Sequence, residues 1–251
     1  MYNLAELKNL HIIYLLKFRQ KNVQKLGQRN YFKKGIKMHN TAYQSGNMFF
    51  SNYCKNVKSI LDVGSYNMNG TLRDFCPDGA VYTGVDLSDG PGVDIAIENS
   101  YNLPFPDNNF DIVVSSSCFE HDSFFWVTFL EMMRVIKNDG YAYISAPSNG
   151  VFHYHPYDCW RFYPDAGISL EKWACYNSMP VKLIESFIIP QFNDQWSDYV
   201  MIFRKGNNLS TDVNFLCNMI NGAYNIRKIG NDKIINPKSY TEDQEKLKKG
   251  I

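Results

Sequence analysis

From Asn3 to about Lys25, apolar residues (Leu4, Leu7, Leu10, Ile12, Leu15, Leu16, Phe18) recur at mixed spacings of three and four, which predicts an amphipathic helix. A second short helix is expected over Asn47–Lys55. Beyond it, short apolar runs alternate with helical stretches. The expected strands are Ser59–Val63, Ala80–Asp86, Asp94–Ile97, Phe110–Ser115 and Tyr141–Ala146. Phe124–Ile136 reads as a helix stopped by the polar run Lys137–Gly140, with Gly140 suited to a left-handed cap. Strands separated by crossover-length connections imply a doubly wound α/β fold, a mostly parallel sheet with helices on both faces, which binds ligands at the carboxyl ends of its strands. After Pro147 the pattern gives way to an aromatic insert, Phe152–Tyr163. A helix at Ala166–Tyr176 and two closing strands at Val181–Ile189 and Tyr199–Phe203 follow. The chain therefore divides into a basic helical segment (1–45), an α/β domain (46–204, with the insert at 150–165) and a polar, loosely attached tail (205–251).

At 251 residues, with 45% hydrophobic and 15% aromatic content, the chain can bury one substantial core. The net charge of +1 points to neither nucleic acid nor an acidic partner. Local charge is less even: Lys and Arg crowd the first forty residues, where Glu6 is the single acid. That stretch reads either as a solvated face or as a surface for a phosphorylated substrate or a membrane. No RNA-binding motif accompanies it, so nucleic acid is not favoured. Six scattered cysteines without a C-x-x-C pair argue against a zinc site or disulfide framework and for a reduced, cytoplasmic setting. The apolar run His11–Leu16 is too short for a transmembrane segment, and the order of features of a signal peptide is missing.

The candidate chemistry begins with ILDVGSYNMNG, residues 60–70, an apolar run carrying Asp62 and turning at Gly64. Glycine there admits close approach of a ligand to backbone amides. Twenty-two residues beyond Gly64, VYTGVDL ends in Asp86, placed to accept hydrogen bonds from two ribose hydroxyls. A nicotinamide-dinucleotide enzyme would keep G-x-G-x-x-G for its pyrophosphate. Here Gly64 and Gly70 flank bulky Tyr66, which suits a cofactor without pyrophosphate.

These motifs, with NSYNLPFPDNNFDIVVSSSCFEHD (99–122), GSYNMNGTLRDF and GVDLSDGPGVDI, resemble class I S-adenosyl-L-methionine (SAM) dependent methyltransferases of the type 11-like group. YDCWRFYPDAG and QWSDYVMIF resemble a subgroup associated with bacterial surface glycans. The resemblance spans Ile60 to about Phe203 and implies a seven-stranded, Rossmann-like sheet with SAM as cofactor. It further implies that Asp62, Gly64 and Ser65 meet the methionine end, Asp86 and Leu87 the ribose and adenine, and Asn99 and Ser100 the adenine, with Tyr66 also a cofactor contact. Ser115 would offer backbone oxygen near the methionine amine. Two departures stand out: the turn lacks further glycines near Tyr66 and Met68, and Asn99 stands where aspartate is common.

On the acceptor side, His121 follows the fourth strand and is the candidate general base for a hydroxyl. The alternative is that Glu120 and His121 cap the next helix. In FHYHPYDCWRF, residues His153, His155, Asp158, Trp160 and Arg161 form a candidate substrate lid. Aromatic faces would stack on a sugar or base, Arg161 would clamp an anion, and Asp158 would orient Arg161 or an acceptor hydroxyl. Packing aromatics and a structural Asp158–Arg161 ion pair are the competing reading. No metal is expected, because two histidines two apart beside proline share no helical face and no further ligand set is visible. The implied function is O-methylation of a sugar or of a phosphate- or phosphoramidate-type group, on a small-molecule or glycan-precursor substrate in capsule or lipopolysaccharide assembly. A small-metabolite methyltransferase and a non-catalytic SAM-fold binding protein are the alternatives.

Overall fold

A computed structural model describes residues 40–154, 156–192, 195–207 and 214–250. The helix expected at Asn3–Lys25 and residue His155 lie outside that range. Helix α1 (Asn40–Tyr53) precedes strands β1 (Ser59–Val63), β2 (Val81–Asp86), β3 (Ile95–Ala96) and β4 (Phe110–Ser116). Helix α2 (Phe125–Val135), β5 (Ile136–Pro147), α3 (Ala166–Tyr176), β6 (Val181–Ile188), β7 (Asp198–Lys205), β8 (Tyr224–Lys228), β9 (Asn231–Ile235) and α4 (Glu242–Lys249) follow.

These strands form one sheet in the order β3-β2-β1-β4-β5-β7-β6-β8-β9. β1 to β5 pair in parallel and β7 runs antiparallel to both β5 and β6. Alternation along each strand divides the core between the two faces. Leu61, Val63, Val113, Met201 and Phe203 pack with Phe129, Met132 and Met133 of α2 and Leu170 and Ala174 of α3. On the opposite face Ile60, Ile112, Val114, Val200 and Ile202 pack with Phe49, Phe50 and Tyr53 of α1. Both faces are covered, which is why Ile112–Val114, Tyr141–Ile144 and Tyr199–Phe203 at the centres of β4, β5 and β7 read as continuous apolar runs.

Four expectations are corrected. α1 begins at Asn40, not Asn47, and runs through Gly46 because the helix lies so close to Leu72 that a Cβ at Gly46 would sit 2.3 Å from its Cδ2. β5 starts at Ile136 and takes in the polar run, with Asp139 at φ 66°. Gly140 has no positive φ; its glycine is required because a Cβ would lie 2.5 Å from the Asp111 carbonyl. Lys205 Nζ instead donates to the carbonyls of Arg134 (3.1 Å) and Ile136 (2.7 Å), satisfying the end of α2.

The fourth correction concerns the tail. Expected to be loose, it adds β8 and β9 to the seven anticipated strands, with β8 antiparallel to β6. Buried Glu185 of β6 holds it, accepting from Leu216 N (2.7 Å), Cys217 N (2.9 Å) and Tyr53 OH (2.6 Å). Helix α4 carries a Thr241/Gln244 capping box, and its Glu242 and Asp243 accept from Gln191 N and Gln191 Nε2. No helix among the described residues is long and apolar enough to cross a membrane.

Candidate functional site

The carboxyl ends of β1, β2, β3 and β4 open on one edge of the sheet, and every cofactor candidate lies there. Gly64 leaves β1 at φ +85°, and a Cβ on it would fall 2.6 Å from Cys118 Sγ. Only glycine lets the turns after β1 and β4 meet so closely. The amides of Gly64 (2.9 Å) and Ser65 (3.1 Å) both donate to the Val85 carbonyl, folding the turn over β2. A second loop supports it: Asn67 N donates to the Pro91 carbonyl at 2.8 Å, and the Tyr66 ring lies against Gly90. The turn lacking extra glycines is thus held by side-chain packing and a neighbouring loop.

Asp62 lies within β1 and is buried. Its Oδ2 accepts from Tyr82 OH at 2.8 Å, and burial pushes its carboxyl up to about 7. Asp86 closes β2, with Oδ2 accepting from Tyr66 N (3.2 Å) and Oδ1 from Ser88 N (3.2 Å). Leu87 beside it is exposed. Asn99 Oδ1 accepts from Tyr101 N (3.0 Å), and Ser100 Oγ donates to Asp122 Oδ2 (3.4 Å). Ser115 Oγ donates to the Val63 carbonyl (2.8 Å), tying β4 to β1. Two buried hydroxyls at this edge, Ser65 Oγ and Ser116 Oγ, have no hydrogen-bond partner.

After β4 the chain turns through Glu120, His121 and Asp122. Asp122 emerges as a hub that the sequence did not single out. Its carboxylate accepts from Ser100, Thr128 Oγ1, Tyr101 OH (2.8 Å) and Phe124 N (2.9 Å), and its carbonyl accepts from Trp160 Nε1 (2.9 Å). One residue thereby joins the loop after β3, the start of α2 and the insert. The capping alternative for Glu120 and His121 is overturned, because Asp122 receives the amide at the start of α2.

The insert docks on the same turn. The amides of Cys159 (2.7 Å) and Trp160 (3.1 Å) donate to the Glu120 carbonyl. His121 Nδ1 is bonded to the Tyr157 carbonyl; a carbonyl only accepts, so Nδ1 carries a proton, and in the neutral ring Nε2 holds the lone pair. Nε2 lies 3.6 Å from Glu120 Oε1. Glu120 is buried, its Oε2 has no hydrogen-bond partner, and burial raises its carboxyl to about 8.

Asp158 and Arg161 form the bidentate pair that the structural reading anticipated, Nη1–Oδ1 2.6 Å and Nη2–Oδ2 2.9 Å. Arg161 also donates to the carbonyls of Trp160 (2.7 Å) and Val151 (2.8 Å) and lies over Trp196. Its Nη hydrogens are therefore spent inside the insert, and the guanidinium beside Asp158 holds that carboxyl down at about 2. Trp160 packs edge-on against Phe125 and Trp126.

The expectation of no metal-ligand set rested on His153 and His155 as a pair. The fold instead carries His153 across to Glu120 and His121, with one ligand atom of each within 4.8 Å of the others. The two imidazole rings meet edge to face, 4.9 Å between centroids. Sequence spacing hides this because thirty-two residues separate His121 from His153; only the E-H pair at the end of a strand hinted at it.

Residues 61–144 match the family model described as a methyltransferase domain. No curated protein matches the chain. Among solved structures, the chain is similar to a Burkholderia thailandensis 1,6-didemethyltoxoflavin-N1-methyltransferase, crystallised with 1,6-didemethyltoxoflavin and S-adenosylhomocysteine. The TM-score is 0.53 at 13% identity, covering 82% of this chain and 92% of that one. It is also similar to the [4+2]-cyclase SpnF, with a TM-score of 0.54 at 12% identity, covering 71% of this chain and 87% of that one. At such identities the likeness is one of fold.

Proposed function

We propose that this chain, a class I SAM-dependent methyltransferase by its methyltransferase domain and its fold, methylates an oxygen of a sugar or of a phosphate- or phosphoramidate-type substituent during bacterial surface-glycan assembly. The observation carrying the acceptor reading is the insert docked on Glu120 beside His121, with the rings of Phe152, Tyr154 and Tyr163 of that same insert left exposed. Exposed aromatic faces suit the apolar face of a sugar, and a polar cluster beside them suits its oxygens.

The cofactor edge fits SAM. Ser65 Oγ and Ser116 Oγ are buried hydroxyls at the strand ends with no protein hydrogen-bond partner, and a bound ligand's polar groups would supply one. Bound there, SAM supplies an electrophilic methyl group on a sulfonium. Asp62, Gly64 and Ser65 would hold its methionine end, with Tyr66 and Ser115 nearby; Asp86 and Leu87 would hold the ribose, and Asn99 and Ser100 the adenine. Both Asp86 oxygens accept one backbone amide each and retain lone pairs for two hydroxyls.

His121 serves the acceptor. With Nδ1 fixed on the Tyr157 carbonyl, Nε2 is the basic atom able to take a proton from a hydroxyl. Asp158 and Arg161 position the insert and His153; Trp160 anchors it to Asp122. The reading is tested by comparing surface glycans of strains with and without the gene by mass spectrometry, and by assaying the purified protein with labelled SAM and nucleotide-linked sugars. Loss of one O-methyl group in the deletion strain is expected; an unchanged glycan would sink the assignment. The [4+2]-cyclase neighbour shows that this fold also hosts other chemistry, so labelled methyl in a product is the decisive readout.

A further inference from the structure

We propose that Glu120, His121 and His153 form a binding site for a divalent transition-metal cation at the acceptor side. The inference rests on the reading of these residues as the acceptor site and deepens it, by giving the His121 Nε2 lone pair to a cation.

Three features of the cluster carry the argument. First, the donor set is two imidazoles and one carboxylate, each contributing one ligand atom within 4.8 Å of the others. Ligands about 2.0–2.2 Å from a tetrahedral zinc stand roughly 3.3–3.6 Å apart, so small side-chain rotations close the set. The 3.6 Å between His121 Nε2 and Glu120 Oε1 already has that separation.

Second, the histidines are oriented as ligands are. His121 Nδ1 donates to the Tyr157 carbonyl. His153 Nδ1 lies 3.2 Å from Asp158 Oδ2, whose carboxylate is in turn fixed by Arg161 and by the His153 amide at 2.7 Å. Arg161 Nη2 also approaches His153 Nδ1, at 3.4 Å, but its two hydrogens already serve Asp158 Oδ2 and the Val151 carbonyl. Each Nδ1 thereby faces acceptors, the Tyr157 carbonyl for His121 and the Asp158 carboxylate and Val151 carbonyl (3.4 Å) for His153, an arrangement that favours Nε2 as the ligand atom of each ring. A ring proton held by a carbonyl or carboxylate is the outer arrangement that orients and strengthens a metal-bound imidazole.

Third, Glu120 is 2% exposed, and its Oε2 meets no hydrogen-bond donor. A buried carboxylate oxygen without a donor is costly, and a cation among these three side chains would satisfy it. Three protein ligands leave a coordination position for an acceptor oxygen, whose ionised form the cation's charge would favour. Two imidazoles with a carboxylate suit zinc, iron(II), cobalt(II) or manganese(II) better than magnesium or calcium, which take oxygen ligands.

The test uses the full chain, treated with chelator and desalted, then titrated calorimetrically with Zn²⁺ and followed by visible absorption with Co²⁺. S-adenosylhomocysteine binding is measured on the same preparation. One equivalent per chain is expected, with Glu120→Gln and His153→Asn each weakening it at least a hundredfold while melting temperature and S-adenosylhomocysteine affinity hold. Glu120→Gln keeps side-chain volume and His153→Asn keeps polarity; should one fail to fold, His121→Asn replaces it. Wild-type protein that takes no equivalent, variants that bind as tightly as wild type, or a thiolate-to-cobalt band placing the ion on cysteine would each overturn the site. If S-adenosylhomocysteine binds in that case, the methyltransferase reading stands without the cation. If metal binds and S-adenosylhomocysteine does not, the failure lies with the cofactor edge instead.

Discussion

Tyr82 OH donates to Asp62 Oδ2 at 2.8 Å beneath the turn that begins at Gly64. Burial is the largest influence on this carboxyl and raises it from 3.8 to about 7, against the lowering effects of the Tyr82 bond and Arg73. A carboxyl whose folded pKa exceeds its unfolded value adds stability below about pH 4, and loses it as pH rises through about 7. Asp62→Asn keeps an acceptor for Tyr82 and cannot ionise. The ligand-free variant is therefore expected to match wild type near pH 4 and to melt several degrees higher at pH 8, each pKa unit being worth about 1.4 kcal/mol. Melting curves that stay parallel from pH 4 to 8 would remove Asp62 as the origin.

Asp86 is expected to contribute through both oxygens to the ribose. Asp86→Ala should weaken S-adenosylhomocysteine binding by about 1.5–3 kcal/mol, the range for hydrogen bonds to a charged group. Calorimetry reads the change, and circular dichroism checks that the turn over Val85 survives loss of the Tyr66 and Ser88 contacts. An unchanged dissociation constant in folded protein would remove Asp86 from the site.

The parts legible in the sequence are those whose determinants are local. β1 and α3 appear at their expected limits because apolar runs and helical spacing mark them directly. The two strand ends of the proposed cofactor edge are legible because Gly64 and Asp86 mark them directly. The acceptor side depends on a contact across thirty-two residues, from His121 to His153, and on Asp122, whose four carboxylate donors come from two segments and whose carbonyl takes a fifth donor from the insert. The start of α1 and the polar run at Lys137–Gly140 were less legible for a related reason: close packing of Gly46 on Leu72 and of Gly140 on Asp111 overrides local propensity.

Arg161 separates an anion clamp from a brace. Its Nη atoms already serve Asp158 and two carbonyls, so Arg161→Lys is expected to lower the melting temperature and raise the acceptor KM together, with cofactor affinity unchanged. A raised KM at unchanged melting temperature would instead show direct contact with an anionic substrate.

Glu185 tests the role of the C-terminal segment. Glu185→Gln replaces an acceptor of three hydrogen bonds with a group having one acceptor oxygen, so at least one of Tyr53 OH, Leu216 N and Cys217 N loses its partner. A cost of about 1–3 kcal/mol in urea unfolding is expected. A cost near zero would show that β8 is held by its own pairing alone.

His121 bears on the acceptor itself. Its Nδ1 is committed to the Tyr157 carbonyl and its Nε2 faces the Glu120 side chain, so truncation removes a basic atom from the turn after β4 while leaving the hydrogen bonds of the Gly64 turn and Asp86 untouched. His121→Ala is expected to lower turnover by about a hundredfold or more with S-adenosylhomocysteine affinity unchanged, whether Nε2 takes the acceptor's proton or holds a cation that ionises it. Chelator separates the two: wild-type turnover falls with it in the second case and holds in the first. A sugar hydroxyl needs one of these aids because its proton must leave as the oxygen attacks. An oxygen already ionised, as on a phosphate-type group, needs only alignment with the methyl group. If His121→Ala kept full turnover, the acceptor would belong to that second class, and assays should turn from sugar hydroxyls to phosphate and phosphoramidate oxygens.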